Sequence, residues 1–247
     1  MRRLVPDVAE TSVDEELARL DLVSAAHDER PYVVTNFVLT LDGHATLAGR
    51  SGPIGSEVDI AMLVGLRMRV DALMIGAGTM RSERYGRVVG NQAKREQRER
   101  DGLSHDPLMV LVSGSMDLPW DAPLFTDGGG QVLIATASGA DPPATATPVQ
   151  VRRYESEVEL PDLLEYLRRE LGVRALLSEG GPRLHAQMIE NDLVDELFVT
   201  HAPMIGGGVG PGLLAGLDEA ERPVELTVLT LEETTGELFA RYRVSAG

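Results

Sequence analysis

The sequence predicts an α/β fold with a mostly parallel central sheet, helices on both of its faces and an antiparallel hairpin at one edge. Three observations lead to this prediction. Short apolar runs rich in β-branched residues alternate along the chain with segments of helical period. Gly, Ser and Pro bound the apolar runs, as expected where strands end. The last two predicted strands flank the turn Thr234-Thr235-Gly236, which predicts the hairpin.

The first half of the chain is predicted to contain an acidic helical lead-in and four strands. Apolar residues at helical spacing predict a helix over residues 13–25. Ser56-x-x-Asp59 resembles a capping box and opens a second helix that ends near Arg69. The strands are predicted over residues 32–41, 71–75, 108–112 and 132–135. A charged segment, residues 81–106, separates the second strand from the third.

The second half continues the alternation after a surface loop, residues 138–148, that is rich in Ala, Pro and Thr. Pro161 is a good first helical residue and starts a helix that runs to Leu171. The elements that follow are a strand over residues 173–177, a helix over 182–190, a strand over 194–202, a glycine-rich loop and the hairpin. No internal repeat is evident.

Composition limits the classes of function. The chain has 247 residues, no cysteine, and a net charge of -16. No run of 18 apolar residues is present, so we expect a soluble, cytoplasmic protein that does not bind a membrane. The negative charge repels phosphate backbones and argues against nucleic-acid binding. None of the five histidines has metal spacing with another, so we expect no metal, and His185 is expected to be exposed or packed and not a ligand.

Three glycine loops follow predicted strands and suggest one ligand-binding crevice. They contain Gly76-Ala77-Gly78, Gly180-Gly181 and Gly206-Gly207-Gly208. In open parallel sheets ligands bind beyond the carboxyl ends of the strands, where free N–H groups at a helix start can hold a phosphate. The alternative is that each glycine pair only makes a tight turn. A Rossmann fingerprint is excluded because Arg81 stands where its third glycine belongs.

Four blocks of the sequence resemble a known family. They are "RPYVVTNFVLTLDG", "LRMRVDALMIGAGTM", "SEGGPRLHAQMI" and "LVDELFVTHAPMIGGG". Together they resemble the reductase domain of the bifunctional riboflavin-biosynthesis deaminase/reductase family, a relative of the dihydrofolate reductase fold. The resemblance covers about residues 30 to 244. It implies an N-terminal lead-in, residues 1–29, and a reductase domain, residues 30–247.

The resemblance also implies an activity. The family reduces 5-amino-6-(5-phosphoribosylamino)uracil with NADPH and acts as a homodimer. The His-x-Glu and Pro-Cys-x-x-Cys signature of the zinc deaminase is absent, so a stand-alone reductase is expected. An apolar late hairpin beside the strand over residues 194–202 also favours a two-fold dimer, because an unprotected strand edge invites pairing.

Residues are assigned to the reaction, to the substrate and to the cofactor. Catalysis is assigned to Asp42, Arg67 and Glu179. The resemblance places Asp42 in the turn beside the reaction centre, where it can instead be only a turn former in Asp-Gly. Because no cysteine or well-placed histidine is evident, Asp42 or a water held by it is expected to donate the proton. Substrate contacts are assigned to Asn36, Ser51, Arg67, Arg87 and Glu179. The resemblance and the strand ends together assign cofactor contacts to Leu39, Thr40, Pro53, Gly76, Gly78, Thr79, Glu83, Ser113, Ser115, Gly180, Gly181, Pro182, Arg183, Leu184 and Gln187.

Ser113 and Ser115 have two possible roles. They can hold the adenosine 2′-phosphate together with Arg81 or Arg84, or they can cap a turn.

The chain departs from the pattern of the bacterial relatives at three places. Glu83-Arg84-Tyr85 stands where these relatives have Asp-Asp-Pro. Asn36 stands where these relatives usually carry lysine, although the archaeal-like version of the motif also has asparagine. Gly90 stands where they carry an arginine that contacts the ribose phosphate of the substrate. Arg84 or Arg87, in the same loop, is expected to replace that arginine.

Three functions therefore remain open. The first is the reduction of the phosphorylated aminopyrimidine. The second is an NADPH-dependent reduction of dihydrofolate, another flat heterocycle on a related fold. The third is a catalytically silent protein that binds NADP. Turnover of one heterocycle or the other separates the first two, and tight cofactor binding without turnover identifies the third.

Overall fold

The computed structural model describes residues 1–208, 210–216 and 223–244. Its strands are β1 (Arg2–Val5), β2 (Ala9–Glu10), β3 (Tyr32–Thr40), β4 (Ala72–Gly76), β5 (Leu108–Val112), β6 (Val132–Thr136), β7 (Val149–Arg153), β8 (Ala175–Ser178), β9 (Glu196–Ala202), β10 (Val224–Glu232) and β11 (Glu237–Val244). Its helices are α1 (Val13–Ala18), α2 (Glu57–Arg67), α3 (Ala77–Glu83), α4 (Gln92–Arg100), α5 (Pro123–Thr126), α6 (Leu160–Arg169) and α7 (Pro182–Glu190).

All these strands form one sheet with the order β2-β1-β10-β11-β9-β3-β8-β4-β5-β6-β7. The part from β9 to β7 is parallel throughout. The strands β11, β10, β1 and β2 pair antiparallel, each with its neighbour. The predicted class of fold, a mostly parallel sheet with antiparallel C-terminal strands, is therefore confirmed.

The sheet has a hydrophobic core on each face, as β4 illustrates. Leu73 and Ile75 of β4 pack in one core with Leu66 of α2. Met74 points the other way and packs in the second core with Leu163 of α6 and Met188 of α7. Successive side chains of a strand point to opposite faces, so a strand that is apolar throughout needs a cover on both sides.

The N-terminal lead-in differs from the prediction. Helix α1 ends at Ala18 instead of continuing to residue 25, and Asp21 accepts a hydrogen bond from the backbone N–H of Ser24 in a turn that competes with the helix. The lead-in also contributes the unpredicted strands β1 and β2. The C-terminal hairpin is therefore not the outermost pair, since β1 lies beside the second half of β10.

Four further elements, α3, α4, α5 and β7, were not predicted. Helix α4 buries arginines instead of apolar residues, so it has no hydrophobic period. The fully buried Arg98 donates to the backbone carbonyls of Arg67, Val70 and Ser104. These bonds tie α4 to the end of α2 and replace the usual apolar contacts.

Other predictions hold at the level of single residues. The Ser56 hydroxyl accepts from the backbone N–H groups of Val58 and Asp59, so it caps α2 as predicted. Helices α6 and α7 cover residues predicted to be helical. No helix among the described residues has the length and apolar character needed to cross a membrane.

Candidate active site

A cavity lies at the carboxyl ends of the parallel strands and brings together part of the predicted site. It has about 860 Å³ of empty volume, its open mouth included. The predicted residues that line it are Asn36, Ser51, Thr79, Glu83, Glu179, Gly181 and Pro182. Its unpredicted lining includes Phe37, Val38, Ala45, Thr46, Asp59, Leu63 and Tyr85.

A second, more apolar cavity of about 510 Å³ lies between α1 and strands β9 to β11. Of the predicted site residues, Asn36 alone lines it. Ligand sites combine apolar walls with a few convergent polar groups. The first cavity meets this description, so we take it as the candidate active site.

Arg67 and Glu179 form a two-pronged ion pair at this site. Arg67 Nε lies 2.6 Å from Glu179 Oε1, and Arg67 Nη2 lies 2.6 Å from Glu179 Oε2. Tyr85 donates its hydroxyl to Glu179 Oε2 at 2.7 Å. The Glu179 side chain is only 4% exposed. The two residues expected to act separately on the substrate are thus bonded to each other.

The surroundings keep this arginine charged and this tyrosine neutral. Burial opposes the charge of Arg67, but the Glu179 carboxylate outweighs it and raises the pKa of Arg67. Burial, and after it the charge of Glu179, raises the pKa of Tyr85 well above its usual value. Tyr85 therefore remains a hydrogen-bond donor to Glu179 at neutral pH. Sequence reasoning missed Tyr85, which follows a charged stretch and has no motif of its own.

Arg67 lies in the last turn of α2 and does not itself line this cavity. It lines an adjoining opening together with Ser51, Gly52, Leu63, Glu83, Arg84, Tyr85, Gly86, Arg87 and Val88. Of these residues, Ser51, Gly52, Leu63, Glu83 and Tyr85 also line the cavity. The Arg67 Nη1 group donates to the Val88 carbonyl at 3.3 Å. Glu179 and Tyr85 fix the orientation of the guanidinium, and the opening leaves its edge accessible to a ligand.

Asp42 holds a loop and is unsuited to donate a proton. Its Oδ1 accepts from the Thr40 hydroxyl at 2.6 Å and from the Gly206 N–H at 2.9 Å, and its Oδ2 accepts from the Gly207 N–H at 2.8 Å. These hydrogen bonds, that from Thr40 first, lower the pKa of Asp42. The geometry therefore argues against the expected proton donor. Asp42 ties the turn after β3 to the third glycine loop, which contains Gly206 and Gly207. Val209, later in the same loop, lies outside the described residues.

The second glycine loop closes tightly on its neighbours. The backbone N–H of Gly181 donates to Thr79 Oγ1 at 3.0 Å, and a Cβ atom at Gly181 would lie 2.9 Å from that oxygen. Gly180 has a φ of +89° and lies against the Phe37 ring. The Gly180–Gly181 peptide bond is cis. Only glycine fits these positions without displacing a neighbour.

The predicted cofactor residues of α7 divide by exposure. Pro182 is half-buried, and Arg183 and Gln187 are exposed beside it. The Leu184 side chain packs in a hydrophobic core, so only its backbone is available to a ligand. His185 is buried and stacks on Phe37, and burial lowers its pKa to about 4. A packing role of His185 is consistent with this environment.

The remaining predicted cofactor residues lie around the cavity with varied exposure. Leu39 packs in a core, and the Thr40 hydroxyl is bonded to Asp42, so neither side chain lines the cavity. Pro53 and Gly78 are exposed, and Gly76 packs near Leu184.

Ser51, which was expected at the substrate, contacts Glu83, which was expected at the cofactor. The Ser51 backbone N–H and hydroxyl both donate to Glu83 Oε1, at 3.2 and 3.3 Å.

The two serines after β5 differ. The Ser115 hydroxyl accepts from the Asp117 backbone N–H at 3.4 Å, which fits a turn cap. The Ser113 hydroxyl is buried and has no hydrogen-bond partner among the described residues.

The arginines expected at phosphates are mostly paired with carboxylates. Arg81 pairs with Asp117, Arg84 with Asp121 and Arg87 with Asp106. Among the described residues, Arg50 and Arg183 have neither a side-chain hydrogen bond nor an ion pair. Arg50 directly precedes Ser51 of the cavity wall, and Arg183 lies in the first turn of α7. In the part of the chain that the structure describes, no group of three His, Asp or Glu side chains has the geometry to hold a metal ion.

Comparisons with known proteins identify the family of this chain. The family model described as the RibD C-terminal domain matches residues 31–238. The 2,5-diamino-6-ribosylamino-4(3H)-pyrimidinone 5′-phosphate reductase of Archaeoglobus fulgidus is 34% identical over 184 residues, which cover 72% of this chain and 83% of that protein. The enzyme of the same name from Methanothermobacter thermautotrophicus is 31% identical over 225 residues, which cover 87% of this chain and 99% of that protein.

A solved structure shows the same fold. The crystal structure of a pyrimidine reductase-like protein from Corynebacterium diphtheriae superposes with a TM-score of 0.79 at 24% identity, covering 96% of this chain and 100% of that one. The match of the family model over most of the sequence confirms the resemblance that the four sequence blocks indicated. The chain therefore belongs to the RibD C-terminal domain family of reductases.

Proposed function

We propose that this protein is an NADPH-dependent reductase of a ribosylaminopyrimidine 5′-phosphate in riboflavin biosynthesis. The observation that carries the proposal is the oriented guanidinium of Arg67 at an opening that adjoins the cavity beside the Gly180-Gly181 loop. The relatives from Archaeoglobus and Methanothermobacter are named for this reaction and match over most of their length. No feature of the cavity specifically favours dihydrofolate.

The groups around the second glycine loop fit a dinucleotide. The backbone N–H groups of Arg183 and Leu184, in the first turn of α7, have no acceptor within the helix and suit a pyrophosphate. Arg183 adds a charge that no carboxylate among the described residues neutralises. The buried, unpartnered hydroxyl of Ser113 suits the adenosine side. When bound, NADPH supplies the hydride.

The residues on the other side of the cavity orient the substrate. Arg67 donates to a ring carbonyl and stabilises the negative charge that develops there. Glu179 and Tyr85 act through Arg67, because both carboxylate oxygens of Glu179 already accept hydrogen bonds. In this proposal Glu179 is a positioning residue, whereas Arg67 contacts the substrate.

The ribose phosphate of the substrate is proposed to bind Arg50. A phosphate at Arg84 competes with Asp121, and one at Arg87 competes with the buried carboxylate of Asp106. Arg50 is exposed and breaks no ion pair when it binds an anion. Arg50 therefore replaces Arg84 and Arg87 as our candidate for binding the ribose phosphate.

We also propose a two-fold dimer, now through the open edge of β10 and not through the hairpin as a whole. The first half of β10 has no neighbour on its outer side in the described chain and exposes Val224 and Leu226. Pairing of this edge with a second copy covers both residues. Sedimentation at micromolar concentration tests the proposal, and a monomer mass contradicts it.

One assay tests the proposed activity directly. NADPH oxidation is followed with the ribosylaminopyrimidine phosphate and, separately, with dihydrofolate. We expect turnover of the pyrimidine. Turnover of dihydrofolate alone identifies a pterin reductase, and tight NADPH binding without either reaction identifies a silent NADP-binding protein.

A further inference from the structure

Two buried oxygen atoms in the wall of the candidate cavity have no hydrogen-bond partner. They are Asp59 Oδ1, in the first turn of α2, and Asn36 Oδ1, in β3. Both residues line the cavity that also contains Glu179. Asp59 is only 7% exposed. A buried acceptor without a donor costs free energy, so these two atoms indicate a ligand that brings N–H groups.

The surroundings of Asp59 explain why Oδ1 of its carboxylate has no partner. In a capping box the residue at this position accepts from the backbone N–H of the N-cap residue, here Ser56. That N–H instead donates to Glu237 Oε1 at 3.0 Å. The Ser56 hydroxyl also donates to Glu237. Glu237 therefore takes the capping role, and Asp59 is released toward the cavity.

The absence of a side chain at Gly55 leaves room for the Asp59 carboxylate. Gly55 lies so close to Asp59 Oδ2 that a Cβ atom at Gly55 would collide with it. Burial raises the pKa of Asp59, a side-chain hydrogen bond with Thr200 opposes that rise, and the charge of Glu237 adds to the rise less strongly. A ligand edge with N–H donors compensates the burial of Asp59 and its repulsion by Glu237, because it stabilises the ionised carboxylate.

We infer that Asp59, assisted by Asn36, binds the 2-amino edge of the pyrimidine ring and makes this site prefer a 2-amino-4-oxopyrimidine over its 2-oxo counterpart. The inference rests on the proposed function for the identity of the ring. The 2-amino group and the adjacent ring N–H form a pair of donors that matches a carboxylate. In the uracil ring a carbonyl oxygen replaces the amino group and faces Asp59, acceptor against acceptor.

The assignment separates two carboxylates of one cavity. Glu179 was expected to accept from ring N–H groups, but Arg67 and Tyr85 already occupy it. Asp59 keeps an oxygen without a partner in the described chain. Arg67 therefore binds a carbonyl of the ring, and Asp59 binds its amino edge.

The first test compares the 2-amino and 2-oxo forms of the ribosylaminopyrimidine phosphate as substrates. We expect the wild-type protein to favour the 2-amino form in kcat/KM by about tenfold or more, the scale of one hydrogen bond to a charged group. Asp59→Asn should remove most of this preference by lowering kcat/KM for the 2-amino form. Glu57→Gln is the matched control, since Glu57 is exposed in the same first turn of α2 and does not line the cavity, and it should keep the preference.

The second test measures binding without turnover. Triaminopyrimidinone and diaminouracil, two free bases that differ only at position 2, are titrated into the wild-type protein and into Asp59→Asn in a calorimeter. Tighter binding of the triamino base by the wild-type protein, lost in Asp59→Asn, supports the inference. This holds even when neither phosphate substrate is reduced, because the absence of turnover overturns only the proposed function. Equal affinity of the wild-type protein for both bases overturns the inference, as does an unchanged preference in folded Asp59→Asn.

Discussion

The two ends of the cavity use their carboxylates in opposite ways. At one end both carboxylate oxygens of Glu179 already accept hydrogen bonds, from Arg67 and Tyr85. At the other end Asp59 is equally buried, yet one of its oxygens has no partner in the described chain. The difference teaches that existing hydrogen bonds decide whether a buried acid supports the site or binds its ligand. Burial alone does not separate the two roles.

The largest expected effect concerns the supporting end. Glu179→Gln removes the charge that compensates the largely buried Arg67, so we expect the free energy of unfolding to fall by about 3 kcal/mol. Urea unfolding measures it. Glu29→Gln breaks the exposed pair with Arg169 and should change the free energy by about 0.5 kcal/mol or less. A similar small loss in both variants would show that Glu179 is not a structural partner of Arg67.

The next largest effect concerns the Gly180-Gly181 loop, which is assigned to the cofactor. In Gly181→Val the new side chain meets Thr79 Oγ1 and blocks the start of α7, so NADPH should bind at least about tenfold more weakly. Calorimetry measures the affinity. Gly139→Val is the control, since Gly139 has nothing within 4 Å of its added Cβ. Unchanged affinity in a folded Gly181→Val protein contradicts the assignment of this loop.

A smaller effect concerns the phosphate. Arg50→Ala should raise KM for the phosphorylated substrate by about tenfold, the scale of one charge-assisted hydrogen bond, with little change for the dephosphorylated substrate. Arg84→Ala serves as the comparison, because Arg84 is paired with Asp121. Steady-state kinetics with the phosphorylated and the dephosphorylated substrate show which arginine binds the phosphate. A larger rise in KM for Arg84→Ala would restore the expectation from the sequence.

The smallest effect concerns Asp42, a third carboxylate that is occupied by donors but exposed. Its folded-state pKa lies below the usual aspartate value of 3.8, so its hydrogen bonds stabilise the protein above that pH and the contribution is lost as the pH falls. Asp42→Asn should therefore be less stable than wild type at neutral pH, with a difference that shrinks below about pH 4. Urea unfolding across this range measures it. A difference independent of pH would exclude the ionised carboxylate as its cause.

Much of the fold was predictable from the sequence because it depends on local patterns. The parallel strands are apolar runs bounded by turn residues, and Ser56 caps α2 as its pattern indicates. Helix α4 was not predictable in this way, since Arg98 fixes it through backbone carbonyls distant in sequence. Strands β1 and β2 depend on pairing with β10, which a short polar segment does not reveal.

The site was predictable in its members but not in their contacts. The sequence identified Arg67 and Glu179, whereas the ion pair between them joins residues 112 positions apart. Asp59 was interpreted as part of a capping box, because the sequence cannot show that Glu237 takes the Ser56 N–H. Asp42 was interpreted as a proton donor, although the third glycine loop keeps it ionised. Each difference arises from a long-range hydrogen bond.

The most direct test of the proposed activity is the kinetics of Arg67→Ala together with its NADPH affinity. We expect kcat/KM for the ribosylaminopyrimidine phosphate to fall at least about tenfold, because the guanidinium contacts the substrate. The Kd for NADPH, measured by calorimetry on the same preparation, should remain close to that of the wild-type protein. Weaker NADPH binding with unchanged turnover at saturating cofactor would contradict the account, because it would place Arg67 on the cofactor side of the cavity.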